Sequence, residues 1–181
     1  VNLCGNVLRH SRMGNRVRDS LFAKARLVVD VNFRLNETGR YCDFLLPAAG
    51  WYEKVGIKYI AAFVPYVTLG DRASAPLGEA KPEWELFANL ATHVAQAAQR
   101  RGVASVRGFN GEDCALDALD ARFTDEGRFG PDAQEAVTEF ILSVSGATKG
   151  ITLADLRRDG GAKRIAALGP SGGTAGIFSE Y

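Results

Sequence analysis

Residues that commonly build redox and metal centres are scarce in this 181-residue sequence, which has three cysteines, two histidines and one methionine. Cys4, Cys42 and Cys114 lie far apart and form no C-x-x-C pair, so we expect free thiols and no zinc or iron–sulfur site in this segment. The formal net charge of +1 gives no global field that would attract nucleic acid. No apolar run approaches the length that crosses a bilayer. We therefore expect neither a nucleic-acid partner nor direct insertion into a membrane.

Short apolar runs alternate with helix-compatible stretches over the first fifty residues. The pattern predicts strands at residues 1–4, 27–31 and 43–47 and short helices at residues 18–25 and 36–42. Strands that alternate with helices favour an α/β fold with a parallel sheet flanked by helices. Such sheets bind ligands at the carboxyl ends of their strands. Loops at Asn6, Asn32 and Pro47 would lie at that edge.

The rest of the chain divides into four segments. Residues 50–78 are rich in aromatic residues without a helical period, which indicates extended, irregular chain. A strong helix is predicted from Pro82 to Gly102, with one apolar stripe: Trp84, Phe87, Leu90, Ala91, Val94 and Ala98. Residues 103–159 are predicted to be a helical insertion in the same domain as residues 1–102. It contains a helix that starts at Pro131, with a stripe of Val137, Phe140, Ile141 and Val144, and a capping box of Thr152 with Asp155. Residues 160–181 are glycine-rich and indicate a linker to a further domain.

Residues 42–54, CDFLLPAAGWYEK, resemble the "ADxxLPxxxxxEK" signature of the dimethyl sulfoxide reductase family of molybdenum enzymes. Three other segments are similar to family motifs in the same order. Gly5-Asn6 resembles the "GxNP" loop, residues 36–38 resemble the "TET" turn, and GEAKPEW at residues 78–84 resembles "GEAKPxWEI". The helical insertion resembles the type II subgroup, which includes nitrate, selenate and chlorate reductases.

The resemblance implies a place for this chain in a longer catalytic subunit. It would be the third, Rossmann-like domain, which helps to hold a molybdenum bis(molybdopterin guanine dinucleotide) cofactor for two-electron redox chemistry. The iron–sulfur cluster and the protein ligand to molybdenum would precede the segment, so we expect no catalytic residue and no metal ligand here. The implied partners are the remaining domains of the subunit and an iron–sulfur electron-transfer subunit. A periplasmic or membrane-associated enzyme is the expected setting.

Five residues are candidates for cofactor binding: Asn6, Arg9, Asn32, Lys54 and Glu83. The amide of Asn6 can both donate to and accept from a base or pterin amide, although as an isolated residue it would be read as a turn former. Arg9 belongs to a basic loop that could meet cofactor phosphates or could equally contact the remaining domains of the subunit. Asn32 stands where many relatives have an aspartate, and its amide accepts guanine donors less well than a carboxylate.

For Lys54 and Glu83, an ordinary structural role is an alternative to cofactor binding. A flexible cation at Lys54 suits a pyrophosphate or a pterin oxygen, but a single lysine is by default a solvated surface residue. Glu83 matches an acidic cofactor-binding position, and it equally fits favourable charge at a helix N-terminus.

Two other functions stay open from the sequence. A stand-alone nucleotide-binding or interaction module without redox activity is the main alternative. A small Rossmann-like dehydrogenase is less well supported, because no G-x-G-x-x-G opens the first helix. The glycine-rich residues 169–174 lack the lysine of a phosphate-binding Walker loop and are interpreted as linker. If the chain belongs to a larger subunit, it should expose apolar surface where other domains would pack.

Overall fold

The computed structural model describes residues 1–3, 5–59 and 65–165. The strands of this part of the chain are β1 (Asn2–Leu3), β2 (Val29–Asn32), β3 (Phe44–Pro47), β4 (Gly56–Tyr59), β5 (Tyr66–Gly70), β6 (Ser105–Arg107), β7 (Asp113–Ala115) and β8 (Ala162–Arg164). The helices are α1 (Val7–His10), α2 (Gly14–Ser20), α3 (Glu83–Arg101), α4 (Leu119–Phe123), α5 (Gln134–Val144) and α6 (Leu153–Arg158). Single 3₁₀ turns lie at Phe22–Lys24 and Gly39–Tyr41. The fold is mixed α/β, with a small parallel sheet accompanied by helices.

The predicted parallel sheet is present, with the strand order β1-β2-β3. Asn2 aligns with Asp30 and Leu45, and Leu3 aligns with Val31 and Leu46. Because side chains alternate between the two faces of a strand, Val31 and Leu46 share one face and Asp30 and Asn32 the other. The apolar face packs on α3, where Val31, Ala48 and Leu86 form a buried cluster.

Local signals fix the ends of α3 as the sequence predicted. Pro82 is the N-cap residue, and Gly102 ends the helix in the left-handed conformation with φ 66°. Glycine suits that C-cap because it has no Cβ to clash. The buried stripe is Leu86, Ala88, Ala91, Ala95 and Ala98, so the predicted stripe was correct for Ala91 and Ala98 but wrong for Leu90, which is 43% exposed.

The short helices before β3 are shifted from their predicted positions. A helix was expected at residues 18–25, but α2 covers Gly14–Ser20 and a 3₁₀ turn follows. The helix expected at 36–42 is a single 3₁₀ turn at Gly39–Tyr41. Such tighter turns are common where only one turn of helix connects two strands.

Residues 50–78 contain two strands, so the prediction of irregular chain over this segment was wrong. β4 and β5 form an antiparallel pair in which Gly56 aligns with Gly70 and Tyr59 with Val67. β5 also pairs with β8, with Thr68 aligned to Ala162. The residue at 162 lies in the stretch predicted as linker, so at least Ala162–Arg164 are part of a sheet instead. Residues 166–181, with the glycine-rich stretch 169–174, lie outside the described residues.

A second core lies between this antiparallel sheet and the helices α5 and α6. Its buried residues are Val67, Leu142, Leu153, Leu156 and Ile165. The predicted capping box of α6 is confirmed, since the Thr152 side chain accepts from the Asp155 backbone N–H and the Asp155 carboxylate accepts from the Thr152 backbone N–H.

The predicted inward stripe of α5 was wrong at two of its positions. Ile141 and Val144 are 47% and 61% exposed, whereas Thr138 and Leu142 are buried. The Thr138 hydroxyl donates to the Gln134 carbonyl at 2.8 Å. Because its own helix satisfies that hydroxyl, a threonine can face the core beside Leu142.

The helical insertion also contains an antiparallel hairpin of β6 and β7, which the sequence did not predict. Aromatic packing joins the insertion to α3: Trp84 stacks on Phe123 with ring centroids 5.0 Å apart, and its indole N–H donates to the Gly130 carbonyl at 2.9 Å. These contacts fix the start of α3, which borders the candidate site.

Cys42 and Cys114 are free thiols, as predicted, and Cys4 lies outside the described residues. In the described ranges, no cluster of histidine, cysteine or acidic side chains could hold a metal ion. The same ranges contain no helix that is long and apolar enough to span a bilayer.

Candidate functional site

An open cleft of about 490 Å³ lies at the carboxyl ends of β1 and β2. Its walls contain three of the five predicted site residues, Asn6, Arg9 and Asn32. The other lining residues are Gly5, His10, Phe33, Arg34, Leu35 and Asn36. The cleft is therefore at the sheet edge where an α/β fold is expected to bind ligands, and its lining is rich in amides and guanidinium groups.

Three asparagine side chains converge on the Gly5 carbonyl oxygen. Asn2, Asn32 and Asn36 each donate an Nδ2 hydrogen to it, at 3.0, 3.1 and 3.0 Å. A Cβ at position 5 would lie 2.9 Å from Asn2 Oδ1, so a larger residue there would displace the Asn2 side chain. The loop after β1 is thus tied to the end of β2 and to the turn that follows it.

Asn32 is buried, at 4% exposure, and its amide is engaged on both sides. Its Oδ1 accepts from the Phe33 backbone N–H at 3.1 Å, while Nδ2 donates to Gly5. Hydrogen bonds of this kind order the cleft wall. Because both ends of its amide are already bonded, Asn32 is less available to hydrogen-bond a nucleotide base than the sequence suggested.

Among the described residues, the Asn6 side chain forms hydrogen bonds only through its Oδ1. Oδ1 accepts from the Thr38 hydroxyl at 3.0 Å and from the Thr38 backbone N–H at 3.3 Å. Among the described residues, nothing accepts a hydrogen bond from Asn6 Nδ2. Arg9 is exposed on the following helical turn, where its guanidinium can reach a ligand in the cleft.

Asp30 lies beneath the cleft and is fully buried. Its Oδ1 accepts from Asn2 Nδ2 at 2.5 Å. Its Oδ2 is buried without a hydrogen-bond partner in the described structure. A Cβ at Gly39 would lie 2.9 Å from Asp30 Oδ2, so a glycine is needed where the 3₁₀ turn covers the carboxylate.

The other two predicted site residues, Lys54 and Glu83, bind each other beyond β3. Lys54 Nζ donates to both carboxylate oxygens of Glu83, at 2.5 and 2.6 Å, and the Lys54 side chain is 10% exposed. A parallel bridge between Ala48 and Lys81 holds the start of α3 beside the end of β3. Lys54 is therefore not a solvated surface lysine, and Glu83 at the first turn of α3 neutralises its charge.

An exposed tryptophan borders the Lys54–Glu83 pair. Trp51 is 59% exposed, and its ring centroid lies 5.0 Å from Lys54 Nζ and 4.4 Å from Lys58 Nζ. The Glu53 carboxylate accepts from the Gly50 backbone N–H at 2.7 Å, which closes the loop. Close by, the hydrogen bond to Glu85 raises the pKa of Lys81 above its usual value.

Three residues of the cleft region were missed by the sequence reasoning: Arg34, Asn36 and Thr38. Arg34 and Asn36 line the cleft, and Thr38 is fully buried behind Asn6. The available signal was their position directly after β2, because residues that follow a parallel strand lie at its carboxyl edge.

The fold and the cleft together define an α/β segment with a donor-rich cleft at the carboxyl edge of its parallel sheet. A family model described as "Molybdopterin oxidoreductase" matches residues 1–93. The chain belongs to the molybdopterin oxidoreductase family.

Named relatives agree with this membership. The chain is 34% identical over 157 residues to the perchlorate reductase subunit alpha of Dechloromonas aromatica, covering 84% of this chain and 16% of that protein. It is 29% identical over 174 residues to the chlorate reductase subunit alpha of Ideonella dechloratans, covering 94% of this chain and 18% of that protein. It is also 36% identical over 105 residues to the respiratory nitrate reductase subunit alpha of Haloferax mediterranei, covering 55% of this chain and 10% of that protein. The chain thus spans less than a fifth of the length of these relatives.

Proposed function

We propose that this chain is the cofactor-binding part of a molybdenum oxidoreductase catalytic subunit and that its cleft holds the nucleotide half of a molybdopterin guanine dinucleotide. The observation that carries the proposal is the cleft itself, with the Asn6 Nδ2 donor, which has no acceptor among the described residues, and the cations Arg9 and Arg34 around it. Guanidinium groups and amide donors suit phosphate and ring carbonyl oxygens. When bound, the cofactor would supply two-electron redox chemistry at molybdenum.

The roles of the chain's own residues follow from their contacts. Asn6 would donate to a ligand oxygen, and Arg9 would neutralise phosphate charge. Asn32 would hold the cleft wall through Gly5. Lys54 would approach the cofactor beyond β3, with Glu83 keeping its ammonium group in place. These residues bind and orient, and none of them is proposed to be catalytic.

The larger setting of the chain belongs to the same proposal. Residues 1–102 would form a Rossmann-like cofactor-binding domain, residues 103–159 an insertion in it, and the chain after β8 a connection to a further domain. Exposed apolar side chains support packing against other domains: Leu21, Leu27 and Phe44 are 62%, 56% and 60% exposed. The relatives are named as alpha subunits of reductases, which supports partner subunits in the same enzyme. The family resemblance is the ground for proposing the type II subgroup, a periplasmic or membrane-associated enzyme and an iron–sulfur partner subunit.

Binding of GDP to the 181-residue chain tests the nucleotide role. GDP carries the guanine and the two phosphates of the proposed ligand, and backbone amide NMR shifts should change at Gly5, Asn6 and Asn36. Asn6→Ala and Arg9→Ala should each weaken binding about tenfold, as expected for the loss of one hydrogen bond. Arg16→Ala is the matched control, since it removes an exposed arginine of the neighbouring helix α2 outside the cleft.

Two results would contradict the nucleotide role. One is the absence of any change in the amide NMR shifts of cleft residues when GDP is added. The other is an Arg16→Ala variant that loses as much affinity for GDP as Arg9→Ala does. The redox setting needs its own measurement, which is the molybdenum and guanine content of the protein purified from its native cells. The bis(dinucleotide) cofactor predicts two guanines for each molybdenum. Guanine nucleotide without molybdenum would instead support the alternative of a stand-alone nucleotide-binding module.

A further inference from the structure

Hydrogen-bond directions around Thr38 are fixed by two backbone N–H groups, which can only donate. The Leu8 backbone N–H donates to Thr38 Oγ at 3.1 Å. The Thr38 hydroxyl hydrogen is then directed to Asn6 Oδ1 at 3.0 Å, and the Thr38 backbone N–H points to the same oxygen at 3.3 Å. The side of the Asn6 amide that faces Thr38 must therefore be its oxygen.

Burial makes this orientation of Asn6 hard to reverse. Thr38 is 0% exposed and Leu8 is 9% exposed, so water cannot easily replace the bonds between them. Rotating the Asn6 amide by 180° would place its NH₂ group against two buried donors. Leaving buried donors unsatisfied is strongly unfavourable. The amide is consequently held in one of its two possible orientations.

The other asparagine amides of the cleft are already engaged on both sides. Asn32 and Asn36 each donate to the Gly5 carbonyl, and each accepts from a backbone N–H, that of Phe33 and that of Gly39. Asn6 differs, because among the described residues its Nδ2 has no acceptor. Of these three amides, Asn6 alone therefore keeps its whole NH₂ group for a ligand.

We infer that Thr38 is a positioning residue that locks the Asn6 amide with its oxygen inward, so that Nδ2 donates to an acceptor oxygen of the ligand in the cleft. The inference rests on the proposed function and adds a rule of selectivity to it. The cleft at this point accepts ligands that present an oxygen acceptor, either a phosphate oxygen or a ring carbonyl, and it disfavours ligands that present an N–H. Thr38 acts only through Asn6 and is not itself a ligand contact.

Substitution at Asn6 distinguishes the effect of its NH₂ donor on binding from the effect of its side-chain shape. Asn6→Asp keeps an oxygen for Thr38 and replaces the outward NH₂ by a carboxylate oxygen. It should weaken GDP binding at least tenfold, and more than Asn6→Ala does, because it turns a donor into a negatively charged acceptor. Titration with guanosine and with pyrophosphate separately identifies the source of the oxygen, since only the matching compound should shift the Asn6 side-chain NH₂ signals.

Substitution at Thr38 tests the positioning role. Thr38→Val keeps the shape and removes the hydroxyl, whereas Thr38→Ser retains it. Thr38→Val should weaken GDP binding about threefold to tenfold and abolish the GDP-induced shift of the Asn6 NH₂ signals. Thr38→Ser should restore both. A purely structural role would not predict that the Asn6 signals follow the hydroxyl.

Each possible outcome decides between the inference and the function on which it rests. Wild-type GDP affinity in Thr38→Val, or failure of Thr38→Ser to restore binding, would overturn the positioning role and leave the nucleotide proposal standing. If Thr38→Val does not fold, Asn6→Asp decides, because GDP binding at wild-type strength in that variant would overturn the donor role. GDP that shifts no cleft residue of the wild-type chain would refute the proposed function itself.

Discussion

The ion pair of Lys54 and Glu83 should contribute measurably to stability, and Glu83→Gln is the substitution that tests it. The change keeps the shape of the side chain and removes its charge. Two short contacts, 2.5 and 2.6 Å, join Lys54 Nζ to the carboxylate. After substitution, Lys54 would be a nearly buried cation without its charged partner, because its side chain is only 10% exposed.

The expected magnitude follows from the burial of the two partners. Removing one partner of a fully buried pair costs about 3–5 kcal/mol, and an exposed pair is worth about 0–1 kcal/mol. Glu83 keeps 26% of its side chain exposed, so solvent screens the pair in part. We therefore expect Glu83→Gln to lower the free energy of unfolding by about 2 kcal/mol.

The assay is urea unfolding followed by the fluorescence of Trp51 and Trp84. Glu85→Gln is a matched control, because it breaks the Lys81–Glu85 pair on the same helix, where the Lys81 side chain is 46% exposed. The control should lose clearly less stability, because solvent screens the exposed pair. Equal losses in the two variants would refute the reasoning from burial. Adding Lys54→Met and the double variant isolates the pairwise energy from any other contact of Glu83.

Two further predictions concern the second core and its helix cap. Leu142→Ala should lower the free energy of unfolding by about 2–5 kcal/mol, since Leu142 is 0% exposed in the cluster beside Val67. Ile141→Ala, at an exposed neighbouring position, is the control for urea unfolding, and a similar loss in both would contradict the assigned core. Hydrogen bonds from Thr152 and then Arg158 lower the pKa of Asp155 from 3.8 to about 2. Its stabilising contribution should therefore be complete above about pH 4 and be lost as the pH falls toward 2. The stability difference between wild type and Asp155→Asn should shrink over that interval, and a constant difference would contradict the lowered pKa.

Local signals made α3 predictable. Pro82, the basic last turn and Gly102 mark its ends within the helix's own sequence, and Gly102 has the positive φ that such an end requires. The capping box of α6 was predictable for the same reason, since Thr152 and Asp155 satisfy each other's backbone groups across three residues. Both features depend on contacts within one turn of chain.

The antiparallel sheet could not be predicted in this way, because its pairing is not local. Thr68 aligns with Ala162, nearly a hundred positions later in the chain. A three-residue strand such as β8, flanked by Gly160 and Gly161, is too short to show an alternating pattern. The prediction of the buried face of α5 was wrong for a different reason. Its inward-facing residue Thr138 counts as polar in any hydrophobic pattern.

The sequence predicted the location of the candidate site at the carboxyl edge of the sheet, but not the hydrogen-bond network within it. Resemblance to the family indicated Asn6, Arg9 and Asn32, which the fold brings to one cleft. Motif matching could not predict that Thr38 contacts Asn6 or that Asn36 contacts Gly5, because each contact joins residues about thirty positions apart. Single residues could be named in advance as candidates, but their division into those that bond inside the protein and those that face the cleft needed the structure.

That division has a consequence for how a ligand would be bound. The Asn6 donor is held by Thr38 and has no acceptor among the described residues, so a ligand oxygen can take it without breaking a bond inside the protein. Lys54 is already bound to Glu83, so an anionic ligand must share or displace that carboxylate. Preorganised groups contribute more to affinity than groups that must first exchange a partner. In the proposed complex, Asn6 should therefore contribute more to the affinity for the nucleotide than its single neutral hydrogen bond suggests, and Lys54 less than its charge suggests.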